Sequence, residues 1–263
     1  MDNAPESAAI RDVCALFQAR YIREPVTGLS RARNTGGRAA TADVIVYIDD
    51  DARADPAWLK SLLLEFHDPR VAVVTGRCVP IPNSNTPEIL DGMGRWWMAG
   101  LTHRTFDIAV PGWEEVAVAG GVGTGTSMAF RRGDFNEWTG FDERLGRGAP
   151  ITSYEEHEAF LAYLLRGRRV VYTPDALVTH PVPDTWAAFE RFRRDTRTAY
   201  VAYLLLLFAK HPAARGPMWR WLRRRLRRTG GEPAGGADNS ESPFQAVRTV
   251  LKGIALFASA PRR

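Results

Sequence analysis

The apolar positions of this chain follow two rhythms that alternate along much of its length. Residues 7–20 carry Ile10, Val13, Cys14 and Phe17 at helical spacing, which predicts a helix with one apolar face. Before it, Asp2-Asn3-Ala4-Pro5 reads as a turn. After it come a short apolar stretch at Tyr21-Ile22, a turn through Pro25 and Gly28, and Ser30 as N-cap of a helix over 31–40. Val44–Ile48 is an unbroken apolar run rich in β-branched residues, as expected of a strand covered on both faces. A helix opens at Asp55-Pro56, with the proline at its first position and Trp58, Leu59, Leu62, Leu63 and Phe66 inward. Residues 71–79 read as the next strand. Helices alternating with buried strands predict an α/β sheet.

The middle of the chain is less periodic. Residues 87–100 read as a helix carrying Trp96 and Trp97, and 116–131 as a glycine-rich stretch turning apolar at Ser127-Met128-Ala129-Phe130. A helix over 154–167 ends at Gly167, and 169–172 make a short strand. A long helix over 186–210 follows, then a basic helix after Pro212 that runs to Arg228. The linker-like composition of TGGEPAGGADNSESP separates these from a short amphipathic segment over 244–258. The divisions predict a sheet domain over 1–183, C-terminal helices with a basic segment over 184–228, a flexible linker over 229–243 and an amphipathic tail over 244–263.

Composition adds bounds rather than detail. A chain of 263 residues can bury one sizeable core. Its net charge of +5 suits an anionic partner such as nucleotide phosphates, nucleic acid or acidic lipid. Seven arginines fall between Arg215 and Arg228, so the charge describes one segment more than the body. The two cysteines, Cys14 and Cys78, have no partner at metal-ligand spacing, which points to a reducing compartment and no zinc site. MDNAPESAAI lacks the apolar core of a signal peptide. The strongest candidate for a membrane span, AYVAYLLLLFA, has 11 residues where roughly 20 are needed.

Four segments carry candidate chemistry. Asp49, Asp50 and Asp51 end a buried strand, where open α/β sheets bind ligands. Asp49 and Asp51 could share a hard cation; equally, Asp51 or Asp55 could cap the next helix. Glu155, Glu156 and Glu158 fall in the first turn of a helix, which suits either a general base or simple dipole stabilisation. His180 is a structural histidine unless it meets the aspartates in space. GLSRARNTG turns into a helix with Arg31 and Arg33 near its start, fitting an anion site or an ordinary capped helix.

Taken in order, these segments resemble inverting glycosyltransferases of family 2, which have the GT-A fold. That family shows G-x-S-x-A-R-N, a strand ending in Asp-x-Asp, a helix with Pro-x-W-L, M-A-F-R-R, G-F-D-E-x-L, an acidic pair and P-x-A-x-V-x-H. Here they read GLSRARN, DDD, DPAWL, SMAFRR, GFDERL, EE and PDALVTH, spanning Asp2 to about His180. The resemblance implies a Rossmann-like mixed sheet flanked by helices, with a C-terminal helical extension. It implies that Asp49 and Asp51 hold Mn2+ or Mg2+ with the donor diphosphate, that His180 completes the metal shell, and that Asp50 faces the ribose or sugar. Glu156 matches the catalytic base, with Glu155 as rival because the family commonly has Glu-Asp here. Arg33 and Asn34 match the donor side, and Asp2 a position near the nucleotide base. The family begins with a strand, a helix and a second strand, whereas this chain starts at the turn after them. A unit of roughly 30 residues is therefore expected upstream of Met1.

The implied reaction is metal-dependent, inverting transfer of a sugar from a nucleotide-sugar donor to a glycan, lipid-linked or small-molecule acceptor. The Gln-x-x-Arg-Trp motif of processive synthases is absent, so single transfers are expected. The alternative is a truncated, catalytically impaired GT-A-like binding module. A metal-dependent phosphotransferase would leave the later motifs unexplained. A nucleic-acid binder would spread its basic residues over the fold, so no nucleic acid is expected. Arg191, Arg193, Arg194 and Arg197 supply further cations near the leaving group or form a solvated helix face. Trp219 and Trp221 lie among the arginines of 215–228, which suits a membrane-surface helix or an RNA contact, and the transferase reading favours the membrane. The expected location is cytoplasmic, peripheral on the inner face of the cell membrane.

Overall fold

A computed structural model describes residues 1–5, 7–81, 100–111, 113, 122–228 and 243–261. The expected helix at 87–100 (save Gly100), the glycine-rich residues 116–121 and the linker at 229–243 (save Pro243) lie outside these.

The N-terminal segment departs from its sequence pattern. Asp2 and Asn3 form a strand, β1 (Asp2–Asn3), parallel to β2 (Arg23–Glu24), where a turn was expected. Asn3 ties that pair to the next turn, accepting from Gly28 N and donating to the carbonyl of Val26. Between the strands lies α1 (Ala9–Leu16), shorter than expected, and its Ile10, Val13 and Leu16, with Phe17 beyond, are exposed.

Next comes α2 (Leu29–Ala39). Its N-cap is Gly28, at φ 147°, not Ser30. Ser30, Arg33, Asn34 and Gly37 recur at helical spacing and are all buried. An i, i+3, i+4, i+7 stripe normally marks an apolar face. Here the stripe is polar, and each member faces a specific partner described below.

The main sheet is mixed. Its strands are β3 (Val44–Ile48), β4 (Arg53–Ala54), β5 (Val71–Ile81), β6 (Arg104–Phe106), β7 (Ser127–Arg131) and β8 (Arg169–Pro181), in the order β3-β7-β5-β8-β4 with β6 also paired to β8. β5 and β8 are parallel, and β7 runs antiparallel to β3 and β5. The unbroken apolar run of β3 was expected to be covered on both faces. Among the described strands β3 is at an edge, and only Ile45 is fully buried. The short strand expected at 169–172 extends for 13 residues, because its polar second half pairs with the second half of β5 beyond an irregularity at Gly76/Arg77. At Gly76 a Cβ would lie 2.3 Å from the carbonyl oxygen of Ala176, so no side chain fits where the strands close up.

On one face of the sheet, α3 (Trp58–Leu64) and the 3₁₀ turn after it bury Leu62 and Phe66 against Val71, Val74 and Val171. Leu59 and Leu63, expected inward, are exposed. The other face holds an aromatic core of Phe130, Phe135, Trp138, Phe141, Phe160, Tyr163 and Tyr172, contributed partly by α4 (Arg132–Glu137) and α5 (Glu155–Leu165). Phe130 meets Phe141 edge-on at 5.6 Å, where the positive edge of one ring faces the negative face of the other. Beyond α5 lie α6 (Trp186–Lys210), α7 (Arg215–Arg228) and α8 (Pro243–Ser259), which share a cluster of Leu161, Tyr203, Leu206, Leu207, Met218 and Phe257. Thr185 caps α6, its Oγ1 accepting from Ala188 N. No described helix is long and apolar enough to cross a membrane.

Candidate active site

The three aspartates occupy a turn that leaves β3 at one edge of the sheet and reaches β4 at the other. Two residues make that crossing definite: Arg53 pairs with Thr179 and Ala54 with Val178. His180 is the next residue of β8. The pairing therefore delivers the aspartate turn to the histidine, although 128 positions separate Ala52 from His180 in the chain. Asp49 N donates to the carbonyl of Thr126, and Ala52 N to that of Asp49. Asp55 rather than Asp51 does the local turn work, accepting from Ala57 N.

Asp49, Asp51 and His180 each offer one ligand atom within 4.8 Å of the others. His180 Nε2 lies 3.0 Å from Asp51 Oδ1 and 3.9 Å from Asp49 Oδ2. Its Nδ1 faces the carbonyl of Pro181 at 2.6 Å. A proton on Nδ1 satisfies that carbonyl and leaves the Nε2 lone pair facing the carboxylates, the arrangement usual for a metal-binding imidazole. Two carboxylates and one imidazole suit Mn2+ well and Mg2+ acceptably. The residues present thus fit a divalent cation. Asp50 is exposed in the same turn.

The acidic pair opens α5. Tyr154 enters the helix in the left-handed region at φ 76°, and Glu155 and Glu156 fall in the first turn, where the helix dipole favours carboxylates. Glu155 is 5% exposed and its Oε1 accepts from Arg33 at 2.7 Å. Arg33 also donates to the carbonyl of Gly125 at 3.1 Å and reaches Asp49 Oδ1 at 3.5 Å. One buried guanidinium therefore joins the aspartate turn to the acidic helix. Burial, reinforced by the neighbouring Glu156 charge, raises Glu155 to about 7 despite Arg33. For Glu156 burial pulls upward as well, but His157, at 3.4 Å, and Arg33 outweigh it and hold the group at about 2. The two carboxyls titrate as a pair, with Glu155 shifted up by burial and Glu156 shifted down by His157 and Arg33.

These groups open on one cleft of about 160 Å³, lined among others by Arg33, Asp49, Glu155, Glu156, His157 and His180. Residues the sequence did not single out also line it: Arg147, Thr152 and Ser153 from the loop before α5, and Phe192 and Thr196 from α6. A second cavity of about 230 Å³ borders α5 at Trp138, Glu158, Arg166 and His211, and holds none of Asp49, Asp51 and His180.

Two expected donor contacts lie elsewhere. Asn34 is buried with its amide closed on Phe141, accepting from N and donating to O, so it fastens the Gly140-Phe141 turn instead of lining the cleft. Asp2 accepts from the Tyr21 hydroxyl in the N-terminal pair of strands and is not among the cleft's lining residues. Of the arginines on α6, Arg191 and Arg194 are exposed and Arg193 pairs with Glu190 at 3.1 Å. Asp142, in the GFDERL segment, is buried under Arg144 and Lys210.

A family model described as Glycosyl transferase family 2 matches residues 2–138. The chain belongs to glycosyl transferase family 2. It is 28% identical over 204 residues to a glucosyl-dolichyl phosphate glucuronosyltransferase of Haloferax volcanii, covering 69% of this chain and 63% of that protein. It is 30% identical to a pre-mycofactocin glycosyltransferase of Mycobacterium tuberculosis, over 58% of this chain and 30% of the relative. A succinoglycan biosynthesis protein, ExoM, of Rhizobium meliloti is 28% identical over 67% of this chain and 54% of its own length. The chain therefore spans less than two thirds of each. This family-2 fold is also similar to that of a Pyrobaculum calidifontis mannosyltransferase solved with GDP-Man and Mn2+, at a TM-score of 0.54 and 18% identity, over 97% of this chain and 63% of the other. That likeness bears out the GT-A-type mixed sheet.

Proposed function

We propose that this chain transfers a sugar, with inversion and one residue at a time, from a nucleotide-sugar donor to an acceptor hydroxyl. The observation that carries the reading is the convergence of Asp49 and His180, with Asp51 beside them, and of Glu155 and Glu156 on one cleft. When bound, Mn2+ or Mg2+ would neutralise the charge that develops on the leaving diphosphate. Asp49, Asp51 and His180 are the residues that would hold it. The Mn2+ and GDP-Man of the Pyrobaculum neighbour support this choice of ion and of donor class.

Glu156 is the base. His157 at 3.4 Å and Arg33 favour its carboxylate form, and its neighbour Glu155 is engaged by Arg33. The acceptor proton passes to Glu156 while the acceptor oxygen bonds to the anomeric carbon. The bond from that carbon to the diphosphate breaks on the opposite face, and its electron pair leaves with the diphosphate. Glu155 and Arg33 hold the base and Asp49 in register. A lipid-linked acceptor fits the Haloferax relative, whose name specifies a dolichyl phosphate substrate. The basic α7 would then rest on an anionic membrane surface.

Donor hydrolysis in Mn2+ tests the assignment. Glu156→Gln should lose at least roughly 100-fold in rate, the usual share of a general base, whereas Glu155→Gln loses less. Asp51→Ala should abolish the dependence on Mn2+. Equal rates in wild type, Asp51→Ala and Glu156→Gln would refute the reading.

A further inference from the structure

Helix α8 has two apolar faces. One packs on α6: a Cβ on Gly253 would sit 2.5 Å from Val201 Cβ, so the helices meet almost backbone to side chain, with Leu256 and Phe257 beside the contact. The other carries Val247, Val250, Leu251 and Ile254 at i, i+3, i+4 and i+7, and these are 58%, 46%, 61% and 45% exposed. Exposed stripes of this kind mark interaction surfaces. Arg248 and Lys252 are exposed on the same helix, and residues 243–263 contain no Asp or Glu.

The neighbouring α7 repeats the composition. Residues 196–228 also lack Asp and Glu, Trp219 is 54% exposed with the Arg223 guanidinium 5.4 Å from its ring centre, and Arg220, Arg223 and Arg224 are exposed. Met218 and Trp221 anchor the helix on the cluster that Leu256 and Phe257 of α8 join. Contrast α1, whose apolar side is equally open: there Arg11 stands beside Asp12 at 3.7 Å and no surplus charge remains. Surplus positive charge around apolar and tryptophan side chains selects an anionic, apolar-cored partner. It disfavours a second copy of the same face, since like charges would oppose each other.

We propose that the outer face of α8, together with the exposed side of α7, docks on an anionic lipid surface. The proposal extends the membrane part of the reading above from α7 to α8, where the apolar residues that enter the lipid reside. The aliphatic stripe inserts at the headgroup boundary while the arginines of α7 and the Arg248–Lys252 pair meet lipid phosphates.

Sedimentation of the full chain with vesicles of phosphatidylcholine, with and without phosphatidylglycerol, tests it. The chain should bind the phosphatidylglycerol vesicles and release them in high salt. Val250→Ser/Leu251→Ser/Ile254→Ser should lower the partition coefficient at least roughly tenfold. Arg220→Gln/Arg223→Gln/Arg224→Gln should lower it roughly 100-fold. Both variants change exposed positions and should keep donor hydrolysis and melting temperature; Leu251→Asp alone is the check if the triple variant folds poorly. Wild-type partition in the α8 variants overturns the α8 proposal, and loss in the arginine variant alone leaves the α7 reading standing. Equal binding to both vesicle types, or a solution dimer that Leu251→Asp dissociates, also overturns it.

Discussion

Gly37 leaves no room for a methyl group. A Cβ there would lie 2.3 Å from Phe135 Cζ and 2.6 Å from the Tyr47 hydroxyl, which itself donates to the carbonyl of Arg33. The same side of α2 places Ser30 Oγ on the carbonyl of Leu145 and Asn34 on Phe141. Together these residues fasten the loop that leads to the acidic helix. Gly37→Ala should therefore cost about 2 kcal/mol, by overpacking, in denaturant unfolding. A stability equal to wild type would show that α2 can slide outward. Arg33 belongs to the same row, and its two carboxylate partners, Asp49 and Glu155, tie the aspartate turn to the acidic helix. Hydropathy assigns such a row to solvent, so its burial was not legible from polarity.

At the scale of elements, the C-terminal end of α6 is clasped to the turn before α5. Asp142 accepts a forked pair of bonds from Arg144 at 2.9 and 2.7 Å and a third from Lys210 at 2.9 Å. Burial alone would raise its pKa, but Arg144 and Lys210 outweigh that and hold it well below the usual carboxylate range. A depressed folded-state pKa gives stability that is present above the unfolded value, about 4, and is lost as pH falls below it. Asp142→Asn should thus be less stable than wild type by about 3 kcal/mol at pH 7. The gap should narrow as the pH drops below about 4. A gap that stays constant with pH would show that the clasp contributes through shape and not charge. The pairing of β4 with β8 is a second element-scale decision, since two residues bring His180 to the aspartates.

For the whole molecule, the site joins parts that otherwise only pack: the turn after β3, the end of β8, the first turn of α5 and one side of α6. A ligand bound across them stabilises the assembled state by mass action. Mn2+ with a nucleoside diphosphate at about 100 times its Kd should raise Tm by roughly 5–10 °C. Asp51→Ala should show no such rise with Mn2+. An equal rise in the variant, or in excess chelator, would remove the cation from the account.

The sequence by itself determined where β3, β5 and α6 lie, because apolar runs and helical spacing are local properties of the chain. It also determined the family, through seven ordered motifs, and hence the mixed sheet. Only the tertiary structure decided that β3 is half-covered, that α1 keeps its apolar side exposed, and that the polar side of α2 turns inward. It alone separated Asn34 from the cleft and brought Arg33 to Glu155 and Asp49. The physical reason is common to these cases. Burial and side-chain partnership are set by residues distant in sequence, as His180 and Asp51 are, and periodicity records only near neighbours.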